Sequence, residues 1–361
     1  MNGVDFISNN GATGDVAGMM ASGRLDIGQM RPWIGQDGKS YVSVCAAGLD
    51  PKAPASYVAK QINSYATLRQ DEWKQLDEVL LNVSRTRLSG VNDLISRGLT
   101  FNLGNAMGTT VFEYETMSDA FSAELSMDAI SRVSNDRPDY GIGYLPIPII
   151  HVDYQINARV LASSRSRGQA LDTAQAEMAA RKVAEKLETM LFTNTTYAFG
   201  SGTIYSYLNH PRRNPVTMAV LWNNSTATGA TIVNDVIAMK QKSIDALHYG
   251  PWVLYIPVAY ETLLDKDYDR TTSTGSTIRK RLLEIDGITD IKIIDTLPVK
   301  NVLLVQMTSD VVRLVQGMGL TNVEWDTEGK MITKYKVMTI QVPQIRADYN
   351  LKSGVTHLAG V

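Results

Sequence analysis

Residues 168–192, GQALDTAQAEMAARKVAEKLETMLF, carry the strongest periodicity in the chain and leave the fewest structural alternatives. Ala176, Ala180, Val183, Leu187 and Met190 recur at helical spacing and form one apolar stripe, with polar residues around the rest of the circumference. Alanine and other good helix formers fill the segment, and Asp172 can cap its start. Glu177 and Arg181 make a favourable i,i+4 pair, whereas Lys182 and Lys186 oppose each other. The pattern predicts one long core helix that no active site uses.

The period changes to two immediately before this helix. TVFEYETMSDAFSAELSM alternates imperfectly, and HVDYQINARV alternates cleanly, with Val152, Tyr154, Ile156 and Val160 opposite Asp153, Gln155, Asn157 and Arg159. Between them lies VSNDRPDYGIGY, dense in turn formers. The expectation over 111–162 is a hairpin with arms well beyond the usual ~5–6 residues. A lone two-stranded ribbon is marginally stable in water, so one this long needs a further surface. No neighbouring segment of the chain offers one.

Residues 1–66 are rich in Gly, Ala, Ser and Asn and balance five basic against five acidic side chains. Such a segment builds no substantial core of its own, but Trp33, Ile34, Tyr41 and Val42 point to an arm that orders against something else. Trp73, Leu76, Leu80, Val83, Val91 and Leu94 then fall at helical spacing, with Gly90 as a possible break and Gly98 as the stop. Beyond the long helix, short strands and helices alternate: TMAVLW, ATIVNDVIAMKQKSIDAL, WVLYIPV, VAYETLLDKDY, STIRKRLLEI, DIKIIDT, NVLLVQM. TNVEWDTEGKMITKYKVMTIQV reads as a closing hairpin turning at Asp326-Thr327-Glu328-Gly329.

Chemistry is hard to find. WIGQDGKS ends like a phosphate-binding loop, but Trp33 stands where the first glycine belongs. DKDYDRTTSTGS spaces Asp265, Asp267 and Asp269 like a calcium loop, yet Arg270 and Ser276 replace the required Gly and Glu. His151, His210, His248 and His357 have no metal-ligand spacing, and the single cysteine, Cys45, has no histidine near it in sequence. PRRNP and RKR are short basic clusters that no basic stripe extends. No catalytic residue, cofactor or metal is therefore assigned. With 361 residues, 44% of them apolar, the chain can bury a large core, and a net charge of −2 exerts no strong pull on nucleic acid or membrane. It has no signal-peptide pattern and no apolar run near the ~20 residues of a spanning helix, so the expectation is a soluble intracellular chain.

The order of arm, helix, long hairpin, Ala/Glu-rich helix, α/β lobe and closing β-segment resembles the major capsid proteins of tailed bacteriophages, the Hong Kong phage fold, and their relatives the encapsulins. Three stretches carry the likeness. LPIPIIHVDYQINARVLASSRSRGQALDTAQAEMAARKVAEKLETMLFTN is similar to that family's passage from the extended loop into the spine helix. SDVVRLVQGMGLTNVEWDTEGKMITKYKVMTIQVPQIRAD is similar to its last segment, and YGPWVLYIPVAYETLLDKDY to the strand-helix element of its axial domain.

The resemblance implies an α+β fold with an N-terminal arm (1–66), an N-terminal helix region (67–100) and an extended loop lying on an adjacent subunit (101–163). A peripheral domain with the spine helix (164–215), an axial domain (216–307), a closing β-segment (308–345) and a C-terminal segment returning to the axial domain (346–361) complete it. Trp33, Tyr41, Asn135, Asp136, Arg137, Asp139 and Tyr140, with Asp265, Asp267, Asp269 and Arg270 of an axial loop, become candidates for contacts between subunits. The implied partners are copies of the chain as pentamers and hexamers, scaffolding, portal and cement proteins, and packaged double-stranded DNA held non-specifically, with no membrane. The implied place is a virion capsid assembled in bacterial cytoplasm, and the role is structural rather than enzymatic. An encapsulin-type shell around a cargo enzyme is the alternative; the long arm favours the phage reading. One departure stands out: no lysine lies between Lys74 and Lys182, so an isopeptide weld from a lysine of the extended loop, used by some family members, is closed to this chain.

Overall fold

The computed structural model describes residues 31–45, 57–62, 68–87, 89–104, 107–117, 125, 127, 139–167, 173–268, 275–328, 331–348 and 351–360. The long helix, α4 (Ala174–Phe192), is its organising element. Ala176, Ala180, Val183 and Leu187 are buried, and Met190 is half-buried over a neighbouring cluster. The helix starts after Thr173, whose side chain makes no capping bond; Asp172 lies outside the described residues. Arg181 pairs forward with Glu185 at 3.5 Å rather than back with Glu177.

Against α4 pack α1 (Gln70–Arg87) and α2 (Ser89–Ser96). Trp73, Leu76, Leu80 and Val83 of α1 are buried with the first half of α4, and Val91 and Leu94 of α2 with its second half. Gly90 lies inside α2 rather than between the helices, and its reason is steric. A Cβ there would stand 2.2 Å from Cε2 of Phe192, a fully buried ring. Gly90→Ala is therefore expected to lower unfolding free energy by about 1–3 kcal/mol through overpacking, read as a shift of the urea midpoint. An unchanged midpoint means that the ring yields freely.

Both α1 and α4 pack on a four-stranded sheet in the order β5 (Thr100–Asn102), β15 (Val312–Glu328), β16 (Ile332–Ile345), β8 (Ile150–Asn157). β15 and β16 form the closing hairpin, 17 and 14 residues long, with β15 beginning at Val312, well before the Thr321 at which the sequence pattern started. β8 corrects the reading of 111–162 as one ribbon. It pairs antiparallel with β16, from Ile150↔Thr339 to Asn157↔Ile332, and turns Val152, Tyr154 and Ile156 onto the chain's own helices. Residues 158–163 belong to a helix, α3 (Ala158–Arg167). Strict alternation reports one buried face, not which strand lies alongside.

The α/β lobe is a five-stranded sheet in the order β11 (Asn214–Thr217), β17 (Val355–Ala359), β14 (Asn301–Gln306), β12 (Trp252–Pro257), β13 (Ile288–Ile294). All of WVLYIP in β12 is buried, as a central strand covered on both faces requires. Helices α5 (Gly229–Asp245) and α6 (Ile278–Leu283) supply Val236, Met239 and Leu282 to one side of it. TMAVLW is not a strand, since β11 ends at Thr217. The C-terminal β17 fills the place between β11 and β14.

The arm needs correction too. β1 (Trp33–Ile34), β2 (Ser40–Cys45), β3 (Tyr57–Ile62) and β4 (Leu68–Arg69) form a sheet of their own on this chain. It is latched to α1. Arg31 makes a bidentate pair with Asp77 at 2.7 and 2.8 Å and lies 4.6 Å over the Trp73 ring, while Trp73 Nε1 donates to the Pro32 carbonyl at 3.0 Å. These residues find their order on their own subunit.

Candidate assembly surface

The hairpin that does leave the body is β6 (Val111–Met117) with β7 (Tyr140–Pro146), registered from Val111↔Pro146 to Met117↔Tyr140. Its root is fixed. Leu145 and Ile147 are buried, Phe112 packs on Phe101 at 5.1 Å, and Arg313 stacks over Phe101 at 4.5 Å. A Cβ on Gly202 would meet Pro146 Cδ at 2.7 Å, so β10 (Gly202–Ile204) presses directly on the root.

Away from the root the cover disappears. Successive side chains alternate between faces. Tyr140, Ile142 and Tyr144 share one face with Glu113 and Glu115 and are 68%, 61% and 36% exposed. On the other face Gly141 and Gly143 leave room, and the Tyr114 ring lies over Gly143, where a Cβ would stand 2.4 Å from it. The ribbon thus closes one face with its own tyrosine and presents an uncovered apolar stripe edged by carboxylates on the other. Exposed stripes of this kind mark contact surfaces. Tyr197 and Phe199 of β9 (Tyr197–Phe199), about half exposed, add apolar surface on the strand paired with β10.

The structure distributes the sequence candidates unevenly. Tyr140 is on the exposed stripe and Asp139 immediately precedes it, whereas Asn135, Asp136 and Arg137 lie outside the described residues. Trp33 stacks on Tyr41 with centroids 5.2 Å apart and packs toward the α1 core. The Tyr41 hydroxyl donates to Asp37 Oδ2 at 2.7 Å, a bond that lowers the Asp37 pKa and raises that of Tyr41. Asp265 is engaged by Arg279 Nε at 2.8 Å, the backbone of Asp267 pairs antiparallel with that of Thr277, and Asp269 and Arg270 are outside the described residues. Among the described residues no three His, Cys, Asp or Glu side chains gather as a metal site, and no helix is long and apolar enough to cross a membrane.

Several polar residues that matter escaped the sequence analysis. Glu188, inside α4, accepts from the amides of Gly90 at 2.7 Å and Val91 at 3.3 Å and from Ser89 Oγ at 3.2 Å, serving the first turn of α2. Burial raises its pKa, against the lowering by those bonds. Asp93 accepts from Tyr255 at 2.8 Å and from Arg97 Nε at 3.0 Å, tying α2 to strand β12 of the α/β sheet. His357 accepts at Nδ1 from Arg213 and faces Asn301 Oδ1 through Nε2 at 2.8 Å. Burial and then the Arg213 charge push its pKa down to about 4, so it is neutral at pH 7. Apart from Arg97, one helical turn from Asp93, these partners are 56 to 162 positions apart, so no periodicity announces them.

Comparison with known proteins follows this geometry. A profile described as a family of unknown function, DUF6260, matches residues 63–358. No curated protein matches the chain by sequence. Among solved structures, the chain is similar to the virus-like particle from Pyrococcus furiosus, with TM-score 0.56 and 18% identity over 79% of this chain and 98% of that one. The capsid of Myoviridae phage XM1 matches with TM-score 0.54 and 10% identity, over 74% and 91%. The capsid of a native GTA particle matches with TM-score 0.51 and 11% identity, over 73% and 89%. At these identities the likeness establishes the fold, that of the Hong Kong phage-type capsid proteins.

Proposed function

The chain belongs to the DUF6260 family, described only as one of unknown function, and from its fold and surface we propose that it is a structural shell subunit that assembles with copies of itself into a closed icosahedral capsid. One observation carries the reading: a ribbon anchored at its root whose apolar stripe, Tyr140, Ile142 and Tyr144, is left uncovered by the described residues of its own chain. A sister subunit is the cover that repeats for every copy, and repetition of one such contact closes into rings and shells. In this reading the β6–β7 ribbon is the extended loop, α4 the spine of the peripheral domain, and the five-stranded sheet the axial domain around five-fold and six-fold positions. Scaffold, portal and cement proteins and packaged double-stranded DNA of a tailed phage are its expected partners, and a virion capsid built in host cytoplasm its place. It carries no catalysis.

Negative-stain microscopy of the expressed protein, with any scaffold supplied, tests the proposal: closed particles are expected, and monomers under every assembly condition sink it. The second reading, a compartment around a cargo enzyme, is favoured by the likeness to a virus-like particle. Extraction of purified particles separates the two, since double-stranded DNA supports the phage shell and a co-purifying enzyme supports the compartment.

A further inference from the structure

We propose that the leader of this chain, through Leu25 and Ile27, fills an apolar groove that α1, α2, α4 and the closing hairpin leave open on the same subunit. The inference stands apart from the shell reading, because the contact lies within one chain.

The groove has a volume of about 230 Å³, with Leu80 and Leu81 of α1, Ile95 of α2, Leu187 of α4 and Gly319 of β15 among its walls. Its floor is opened by a bulge. Met318 pairs with Ile340 and Thr321 with Met338, so Gly319 and Leu320 together stand against the single Thr339. Two hydroxyls fix that bulge: Thr339 Oγ1 donates to the Met318 carbonyl at 2.9 Å and Thr321 Oγ1 to the Gly319 carbonyl at 3.1 Å. A Cβ on Gly319 would meet nothing within 4 Å, so the space beside it is open. Leu81 and Ile95 on the walls are 57% and 40% exposed. A space of this size falls below the ~300–1,000 Å³ of small-molecule sites and suits a few side chains of a peptide.

The path of the arm selects the occupant. The Pro32 carbonyl accepts from Trp73 Nε1 at 3.0 Å, and Arg31 grips Asp77, one turn further along α1, at 2.7 and 2.8 Å. Followed toward its start, the chain therefore runs along α1 in the direction of Leu80 and Leu81, which form the next turn after Asp77. From Asp77 to Leu81 is ~6 Å along the helix axis. The stretch from Arg31 back to Ile27 spans up to ~13 Å when extended, enough to reach the groove. Residues 1–30 lie outside the described residues, and the part that joins Arg31 reads RLDIGQM, with Leu25, Ile27 and Met30 as its apolar side chains. Arg24 and Asp26 balance in charge, which matches a groove with no charged residue on its walls. Anchorage of Arg31 and Pro32 on α1 keeps this stretch at high local concentration beside the groove, so it outcompetes a free partner of equal affinity.

Disulfide formation reads the contact on the full-length subunit, whether or not particles form. In a Cys45→Ser background, Ile27→Cys is combined with Leu81→Cys, with Ile95→Cys or, as a control, with Gln75→Cys. Gln75 is exposed and lies nearer to Asp77 along α1 than Leu81 does, but on another face. Under mild oxidation at low protein concentration, an intrachain link to position 81 or 95 is expected to form at least ten-fold faster than the control link, read by mass spectrometry of the joined peptides. Equal rates at all three positions overturn the proposal, and covalent dimers in place of the intrachain link overturn it in favour of a second copy's leader. A thermodynamic cycle checks the same contact without cysteines. Leu25→Ser with Ile27→Ser is expected to lower the urea midpoint of the wild-type chain and to leave that of a Leu81→Ser, Ile95→Ser chain unmoved. Equal shifts in the two backgrounds overturn the proposal.

Discussion

Replacing Tyr140 and Ile142 together by aspartate is expected to leave the subunit folded and to abolish closed particles. Both side chains are more than half exposed, so their removal takes little from the core of an isolated chain. Substitutions at such surface positions stay within about 0.5 kcal/mol each. In the proposed shell the same positions are covered, so the new charges would bring unpaired carboxylates into a desolvated contact already flanked by Glu113 and Glu115. Since the contact repeats for every copy, even a loss of about 1.4 kcal/mol per contact, a factor of ten in its equilibrium constant, is multiplied across the lattice. Circular dichroism and denaturant midpoints are to be compared with particle counts by negative stain. A variant that assembles normally shows that the stripe is not a contact; one that fails to fold shows that the stripe is structural within the subunit.

Ala180→Asp is expected to have the opposite signature, losing the subunit itself. Ala180 is fully buried on α4 in the cluster that contains Trp73, Leu76, Leu80 and Tyr335. The substitution adds bulk where packing is tight and places a carboxylate away from water. Overpacking alone costs about 1–3 kcal/mol. An unpaired buried charge adds several more, which together approach the whole stability of an ordinary domain. Soluble yield should collapse, and any soluble fraction should unfold at much lower denaturant. A wild-type midpoint would mean that this face of the spine helix is wet. The two experiments separate the loads that the proposed reading assigns: α4 holding each subunit together, and the hairpin holding subunits to one another.

Composition and period made the elements legible. Alanine-rich helical spacing from Ala176 to Leu187, the continuous apolar run of WVLYIP and the alternation of Val152, Tyr154 and Ile156 each follow from local stereochemistry and the need to bury one face. The order of those elements was enough to expect this fold. The choice of partners for the strands was not local. Ile150–Asn157 alternates equally well whether it pairs with a hairpin arm or with Ile332–Ile345, and only the packing of both on α4 decided for the second. Residues 1–66 read as a segment without a core, yet Arg31 finds Asp77 and Trp73, 46 and 42 positions away, and latches the strands beside it to its own chain.

The polar constellations belong wholly to the tertiary structure. Glu188 beneath Gly90 and Val91, Asp93 beneath Tyr255, and His357 between Arg213 and Asn301 join residues with no shared spacing. Periodicity in a sequence records which side of an element avoids water, because that requirement repeats along the chain. Which buried charge meets which donor is settled once, at a single crossing of elements, and leaves no repeat to read.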